Sequence, residues 1–225
     1  MHAENRKTLE RHRRAGRLVA WSAPLVAYIV AASFFASHSK HARIDFPLDD
    51  SWIHRVYSRA FAHGHGFAYN PGQLETGVTS PLWVIVTAPA HWLEPLGPRA
   101  PVVGVKLIGA LFGVLAVVAL RRTIESVGLS RVVAVAAAVI FAIEPRLHFA
   151  ALSGMEVALL VWVWLETARA VVARRTVAAV TLLGLAPVVR PEAVLLAPFG
   201  LLALLAVLGR DRRNWPRPWY GLLLV

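Results

Sequence analysis

The chain has 225 residues, 57% of them hydrophobic, with no cysteine and a formal net charge of +11 from 24 Lys and Arg against 13 Asp and Glu. A soluble domain is about 45–50% apolar, so composition and uninterrupted apolar runs point to an integral membrane protein. Disulfides, thiolate metal sites and cysteine nucleophiles are excluded. A nucleic-acid module is not supported either, because the basic residues sit between apolar runs rather than in an aromatic-basic stripe.

Residues 1–17 form a basic N-terminus carrying Arg6, Lys7, Arg11, Arg13, Arg14 and Arg17. Residues 18–37 supply about 20 mostly apolar positions, enough to cross about 30 Å of hydrocarbon at 1.5 Å per residue. The run is longer than the apolar core of a signal peptide, so it reads as a retained first transmembrane helix. Its basic flank stays in the cytoplasm.

Residues 38–99 then read as an extracytoplasmic loop with interfacial or re-entrant helices. The segment Asp49 to Trp83 is the longest polar and chemically varied stretch, with Asp49, Asp50, His54, Arg55, Arg59, His63, His65 and Glu75. Trp52, Val56 and Phe61 recur at near-helical spacing, which suits a short helix lying on the membrane surface. Gly64 and Gly66 end it, and Asn70-Pro71-Gly72 makes a turn. Ser80 to Leu96 is apolar but short and holds Pro81 and Pro89.

Residues 100–225 read as a bundle of transmembrane helices: Ala100 to Leu120, Val132 to Ile143, Met155 to Val172, Thr176 to Val189 and Ala193 to Leu208. If Ser80–Leu96 does not cross, then Arg121, Arg122, Arg131, Arg169, Arg174, Arg175, Arg210, Arg212 and Arg213 all fall in the cytoplasm, as the positive-inside rule asks. The polar interruptions Glu144-Pro145-Arg146-Leu147-His148, Gly154-Met155-Glu156 and Arg190-Pro191-Glu192 then face outward with the Asp49 segment. Ionisable residues grouped on one side of a membrane are functional candidates. A further apolar run begins at Tyr220 and stops at Val225, which reads as a truncated bundle.

An outward site of acids and cations suits proton abstraction by a carboxylate and capture of a phosphate by Arg or Lys. Lys106, one to two turns below the outer end of its helix, is a phosphate candidate and equally a snorkelling lysine. No phosphate-binding glycine loop of the G-x-x-x-x-G-K-[ST] type occurs, so a nucleotide donor is not indicated and a lipid-linked donor fits better. A divalent cation held by Asp49, Asp50, Glu75 and the histidines is a further possibility.

The stretch LDDSWIHRVYSRAFAHGHGFAYNPGQLETGVTSPLW resembles the first loop of the GT-C membrane glycosyltransferases. It is most similar to the terminal arabinofuranosyltransferases of the mycobacterial cell wall. Gly154-Met155-Glu156-Val157-Ala158-Leu159 and Arg190-Pro191-Glu192 resemble two further motifs of that group. The resemblance implies an all-α polytopic membrane protein with a GT-C-like helix bundle, in the plasma membrane of a bacterium, its active site facing outside. It implies inverting transfer of a pentose or hexose from a polyprenyl-phosphate donor to an envelope glycan acceptor. Asp49 or Asp50 would be the catalytic base. Arg55, His65, Lys106, Arg146, His148 and Arg190 would be candidates for the donor phosphate, with Glu75, Glu156 and Glu192 binding sugar hydroxyls or orienting the cations. The chain has Thr76-Gly77-Val78 after Glu75 and Val157 after Glu156, where the group differs, which leaves the sugar open. A transporter or flippase of lipid-linked solutes and a non-catalytic assembly subunit or remnant are the alternatives. The first would call for charges near mid-membrane and an internal repeat of broken helices.

Overall fold

A computed structural model describes residues 22–39, 45–70, 72–73 and 77–209. The basic N-terminus (1–17), Glu75, Arg210, Arg212, Arg213 and the run from Tyr220 lie outside the described residues. The described residues are all-helical, with no strand among them.

The first helix, α1, covers Ser22–His38. The polar segment folds as α2, Asp49–Ala62, followed by α3, Pro81–Thr87, which continues into a 3-10 stretch, Ala88–Leu96. Pro81 starts α3, where its missing N–H is not required, and Pro89 and Pro95 keep the following turns from becoming α-helical. The long helix α4, Ala100–Ser126, is next. Then come α5, Arg131–Ala142, and α6, Pro145–Leu152. The Ser130 side chain caps α5 by accepting from the Val133 amide, and Glu144-Pro145 bends α5 against α6 by 58°. The bundle ends with α7, Val157–Val172, and α8, Thr176–Val189, then a second 3-10 stretch, Pro191–Leu196, and α9, Ala197–Gly209.

One described helix, α4, is long and apolar enough to cross a membrane, and two spans result if the bent α5–α6 pair counts as one. The 14 residues of α8 reach about 21 Å at 1.5 Å per residue, short of a hydrocarbon core of about 30 Å.

Helix α4 is the axis of the bundle, packed by α5, α6, α7 and the first 3-10 stretch. Phe112 meets Trp162 and the Thr123 hydroxyl donates to the Leu165 carbonyl, so α4 and α7 run the same way. The interior of the bundle is built largely of small residues. Ala116, Ala119, Ala134, Ala138, Ala142, Ala151 and Ala158 are fully buried, and a methyl at Gly109 would collide with the Ala151 carbonyl. Large apolar side chains point outward instead: Leu107, Val132, Ile140, Val177 and Phe199 are all more than half exposed. Small residues between helices and large ones outside is the packing expected where lipid, not water, is the surrounding medium.

The spacing of Trp52, Val56 and Phe61 does not mark the buried face of α2, since all three are only partly covered. The face α2 buries carries Ser51, His54, Tyr57 and Ser58, and Ser58 and His54 there lie against His91 and Glu156. The segment Ser80–Leu96 has two sides: Trp83, Val84 and His91 are inaccessible, whereas Trp92 and Leu96 are largely exposed. Two smaller shifts are end effects: α4 runs about a turn and a half past Leu120, and α7 starts two residues after Met155.

Candidate functional site

Asp50 stands more than a hundred residues before Glu156 and Arg190 in the sequence, and the fold brings the three segments together. Helix α2 starts beside the N-terminal end of α7 and the C-terminal end of α8. Glu156 is 1% exposed. His54 Nε2 lies 3.2 Å from its Oε2, and Arg190 Nη1 lies 3.2 Å from its Oε1. The His54 ring approaches off the line of a hydrogen bond, leaving Oε2 without one. Arg190 also meets Glu192 through Nε at 3.2 Å. Its hydrogen bond to Glu192 and the charges of Glu156 and Asp50 hold the guanidinium above its ordinary pKa against the opposing effect of burial. Asp50, an exposed residue in the first turn of α2, is the weakest of these influences on Arg190. Carboxylates in a first turn complement the helix dipole wherever they occur, so position alone distinguishes neither Asp49 nor Asp50. The field at Arg190 favours Asp50.

Local structure explains why Glu156 faces inward. Gly154 has φ +86°, a left-handed conformation that costs other residues about 1–2 kcal/mol. A side chain there would also strike Phe46. The buried Trp83 indole N–H donates to the Gly154 carbonyl at 2.9 Å. This turn starts α7 so that Glu156 points at α2 and α8. Lys106 fixes the other flank: its ammonium donates to the Asp45 carbonyl at 2.8 Å and sits 5.8 Å from the Phe46 ring centroid. It therefore braces the approach to α2 rather than opening onto a cavity.

A second group forms on the far side of α2. At about 100° per residue, Arg55 and Arg59 lie roughly 140° and 180° around the helix from Asp50, whereas His54 lies only about 40° away. Arg55 and Arg59, with His63, His65, Tyr69 and Glu94, line a cavity of about 780 Å³. The Arg55 guanidinium stands over the Trp52 ring at 5.4 Å, and its Nε is buried without a hydrogen bond. Arg59 Nε donates to Glu94 Oε1 at 2.8 Å, and His63 Nε2 is 3.3 Å from Glu94 Oε2. The Arg59 hydrogen bond, helped by those from His91 and His63, draws the Glu94 carboxyl down to about 2.

Behind this cavity runs a chain of three side chains. Ser58 Oγ is 2.9 Å from His91 Nε2, and His91 Nδ1 is 3.1 Å from Glu94 Oε1. The ionised Glu94 only accepts, so Nδ1 carries the proton and Nε2 faces the serine. Burial lowers the pKa of His91, with Glu94 acting in the opposite direction. The connectivity is that of an activated serine, but Ser58 is fully buried and the Arg55 carbonyl at 3.1 Å competes with His91 Nε2 for its one hydroxyl proton. No substrate can reach it, and the chain serves to tie α2 to the first 3-10 stretch.

The remaining candidates are distributed elsewhere. Arg146 is exposed at the start of α6. His148 is buried between α1 and α6, its ring 4.9 Å from that of Tyr28, with both ring nitrogens lacking hydrogen bonds. It lines an apolar groove of about 1040 Å³ with Phe34, Phe35 and Ile143. The fold thus joins Asp50, Glu156, Arg190 and Glu192, gathers Arg55 and His65 separately, and leaves Lys106, Arg146 and His148 in three further places. Sequence reasoning named His54 only among the histidines of the polar segment, with no partner, and missed Glu94. The i, i+4 spacing of Asp50 and His54 was the available signal for the first. Glu94 had only His91 three positions before it. Among the described residues no group of three or more His, Asp or Glu is arranged to hold a metal ion.

Compared with protein-family models, with curated proteins and with solved structures, the chain matches none.

Proposed function

We propose that this chain is an integral membrane glycosyltransferase of the GT-C kind. In this reading it moves a pentose or hexose from a polyprenyl-phosphate donor to an envelope glycan acceptor on the outer face of a bacterial plasma membrane. The observation that carries the reading is the ion pair of Glu156 with Arg190, within reach of the charge of Asp50, which draws one residue from each of the three motifs that resemble this family.

The chemistry assigned to the cluster is as follows. Asp50 takes the proton of the acceptor hydroxyl as the oxygen attacks the anomeric carbon. The bond from that carbon to the donor phosphate breaks on the opposite face, which inverts the configuration. Arg190 neutralises the charge growing on the departing phosphate. Glu156, held by His54 and Arg190, fixes the guanidinium, and Glu192 is available to sugar hydroxyls. Removing a buried partner from such an arrangement costs about 3–5 kcal/mol, so Glu156 is both a positioning residue and part of the fold.

The membrane part of the reading is supported by the small-inside, large-outside packing and by the distribution of charge. Arg121, Arg122, Arg169, Arg174 and Arg175 lie towards the opposite ends of α4 and α7 from Glu156. With the acidic cluster outside, these arginines fall in the cytoplasm.

The test supplies a radiolabelled polyprenyl-phospho-pentose, and in parallel a polyprenyl-phospho-hexose, to right-side-out vesicles carrying the protein with crude envelope glycan as acceptor. Label is expected to enter glycan from one donor and with inverted configuration. No transfer from either donor would remove this reading.

A further inference from the structure

The cavity beside Arg55 does not belong to the Asp50 cluster, because α2 stands between them. Its composition is specific. Two arginines and two histidines face one carboxylate, and Val56, Ala60, Pro98 and Pro101 give part of its wall an apolar surface. The charges are not equivalent. Glu94 already binds Arg59 and His63, whereas Arg55 forms no ion pair among the described residues. The Arg55 guanidinium is held over Trp52, which presents a planar fork rather than a floppy point charge. Such a fork suits the two oxygens of a phosphate. Glu94, being ionised, repels a second anionic group but accepts hydroxyl protons. At about 780 Å³ the cavity lies within the usual range of small-molecule sites, about 300–1,000 Å³.

We propose that this cavity is a second ligand site, binding a phosphate ester that carries free hydroxyls, with the phosphate on Arg55 and His65 and the hydroxyls on Glu94. Such a group occurs in soluble polyol phosphates and in the headgroup of a phosphatidylglycerol. Binding here does not require sugar transfer, so this site and the transfer reading stand or fall separately.

The experiment uses the full chain in neutral detergent. Equilibrium dialysis measures glycerol 3-phosphate, and a parallel titration measures short-chain phosphatidylglycerol against short-chain phosphatidylcholine. Saturable binding of at least one probe is expected, with glycerol and phosphatidylcholine failing to compete. Preference for the soluble ester or for the lipid identifies the source of the group. Arg55→Gln should weaken binding about tenfold or more, the loss of one charge-assisted partner. His65→Gln, at an exposed position, should weaken it about threefold with the fold intact. Arg131→Gln, which does not line the cavity, should leave it unchanged. Absence of saturable binding of either probe overturns the proposal, and so does unchanged binding in Arg55→Gln. Should Arg55→Gln fail to fold, unchanged binding in His65→Gln overturns it.

Discussion

The two faces of α2 treat charge differently. On the Asp50–His54 face, a fully buried carboxylate, Glu156, is flanked by a histidine and an arginine. On the opposite face, Arg55 has a buried Nε that no acceptor meets, and Glu94 is shared among Arg59, His63 and His91. On the first face the Arg190 and Glu156 charges offset one another through Oε1, although Glu156 Oε2 has no hydrogen bond, and the pair is held in place before any ligand arrives, as an electrostatic catalyst requires. The second face leaves one donor unsatisfied, which is a cost in the free protein and a reason to bind. One helix can serve both because its buried flank between them, Ser51 and Ser58, is small and polar and joins the body of the protein through His91 rather than through a bulky apolar stripe.

Mutations can break this contrast. The largest effect expected is on chemistry: Asp50→Asn should slow transfer by about 10²–10⁴-fold, the range of a general base, with Asp49→Asn slower by less. Single-turnover transfer in vesicles measures both, and equal rates for the two variants would show that the field of Asp50 at Arg190 does not mark the base. Next is stability. Arg190→Leu leaves the Glu156 carboxylate buried beside His54 alone and should cost about 3 kcal/mol, read as a lowered unfolding midpoint. Arg55→Met, on the other face, removes a donor that had no acceptor and should change stability by less than about 1 kcal/mol, mostly its contact with Trp52. A loss as large as that of Arg190→Leu would mean that the two faces are not different in kind.

The smallest effect is a pH dependence. The Glu94 carboxyl lies near 2 when folded against an ordinary 4.5, so between these values the folded protein binds fewer protons than the unfolded one. Its contribution to stability is complete above about pH 4.5 and is lost as pH falls through 2. Because Arg59 and His63 are about half exposed, that contribution is less than about 1 kcal/mol. Hydrogen exchange in the first 3-10 stretch, corrected for the intrinsic pH dependence of amide exchange, should show protection falling between pH 4.5 and 2.5, and Glu94→Gln should abolish the fall.

Which parts of this were readable in advance follows from how local each signal is. Helices α4 and α8 are continuous apolar runs bounded by basic residues or Arg190-Pro191, and their cores sit where the hydropathy puts them. Helix α2 was visible from its spacing, but not the face it buries. Trp52, Val56 and Phe61 are not its buried residues, because the burial of Ser58 and His54 depends on His91 and Glu156, thirty to a hundred residues away. Glu94 was invisible for the same reason: its partners Arg59 and His63 are 35 and 31 residues before it. Grouping every outward cation around one phosphate was too simple. One side of a membrane is a plane, and a shared plane does not bring His148, against Tyr28, to Arg190, against Glu156. The Gly154 turn is local by contrast, a positive φ two residues before the carboxylate it aims inward, although the motif was read for its glutamate and not for its glycine.

The central claim is that Asp50 and Arg190 act on the reacting sugar as one unit. A double-mutant cycle on single-turnover transfer tests it, with Asp50→Asn, Arg190→Lys and the two combined. Groups that act together lose their effect together. The account predicts that the double variant is about as slow as the slower single one. Losses that multiply would show that the two residues act independently and would contradict it.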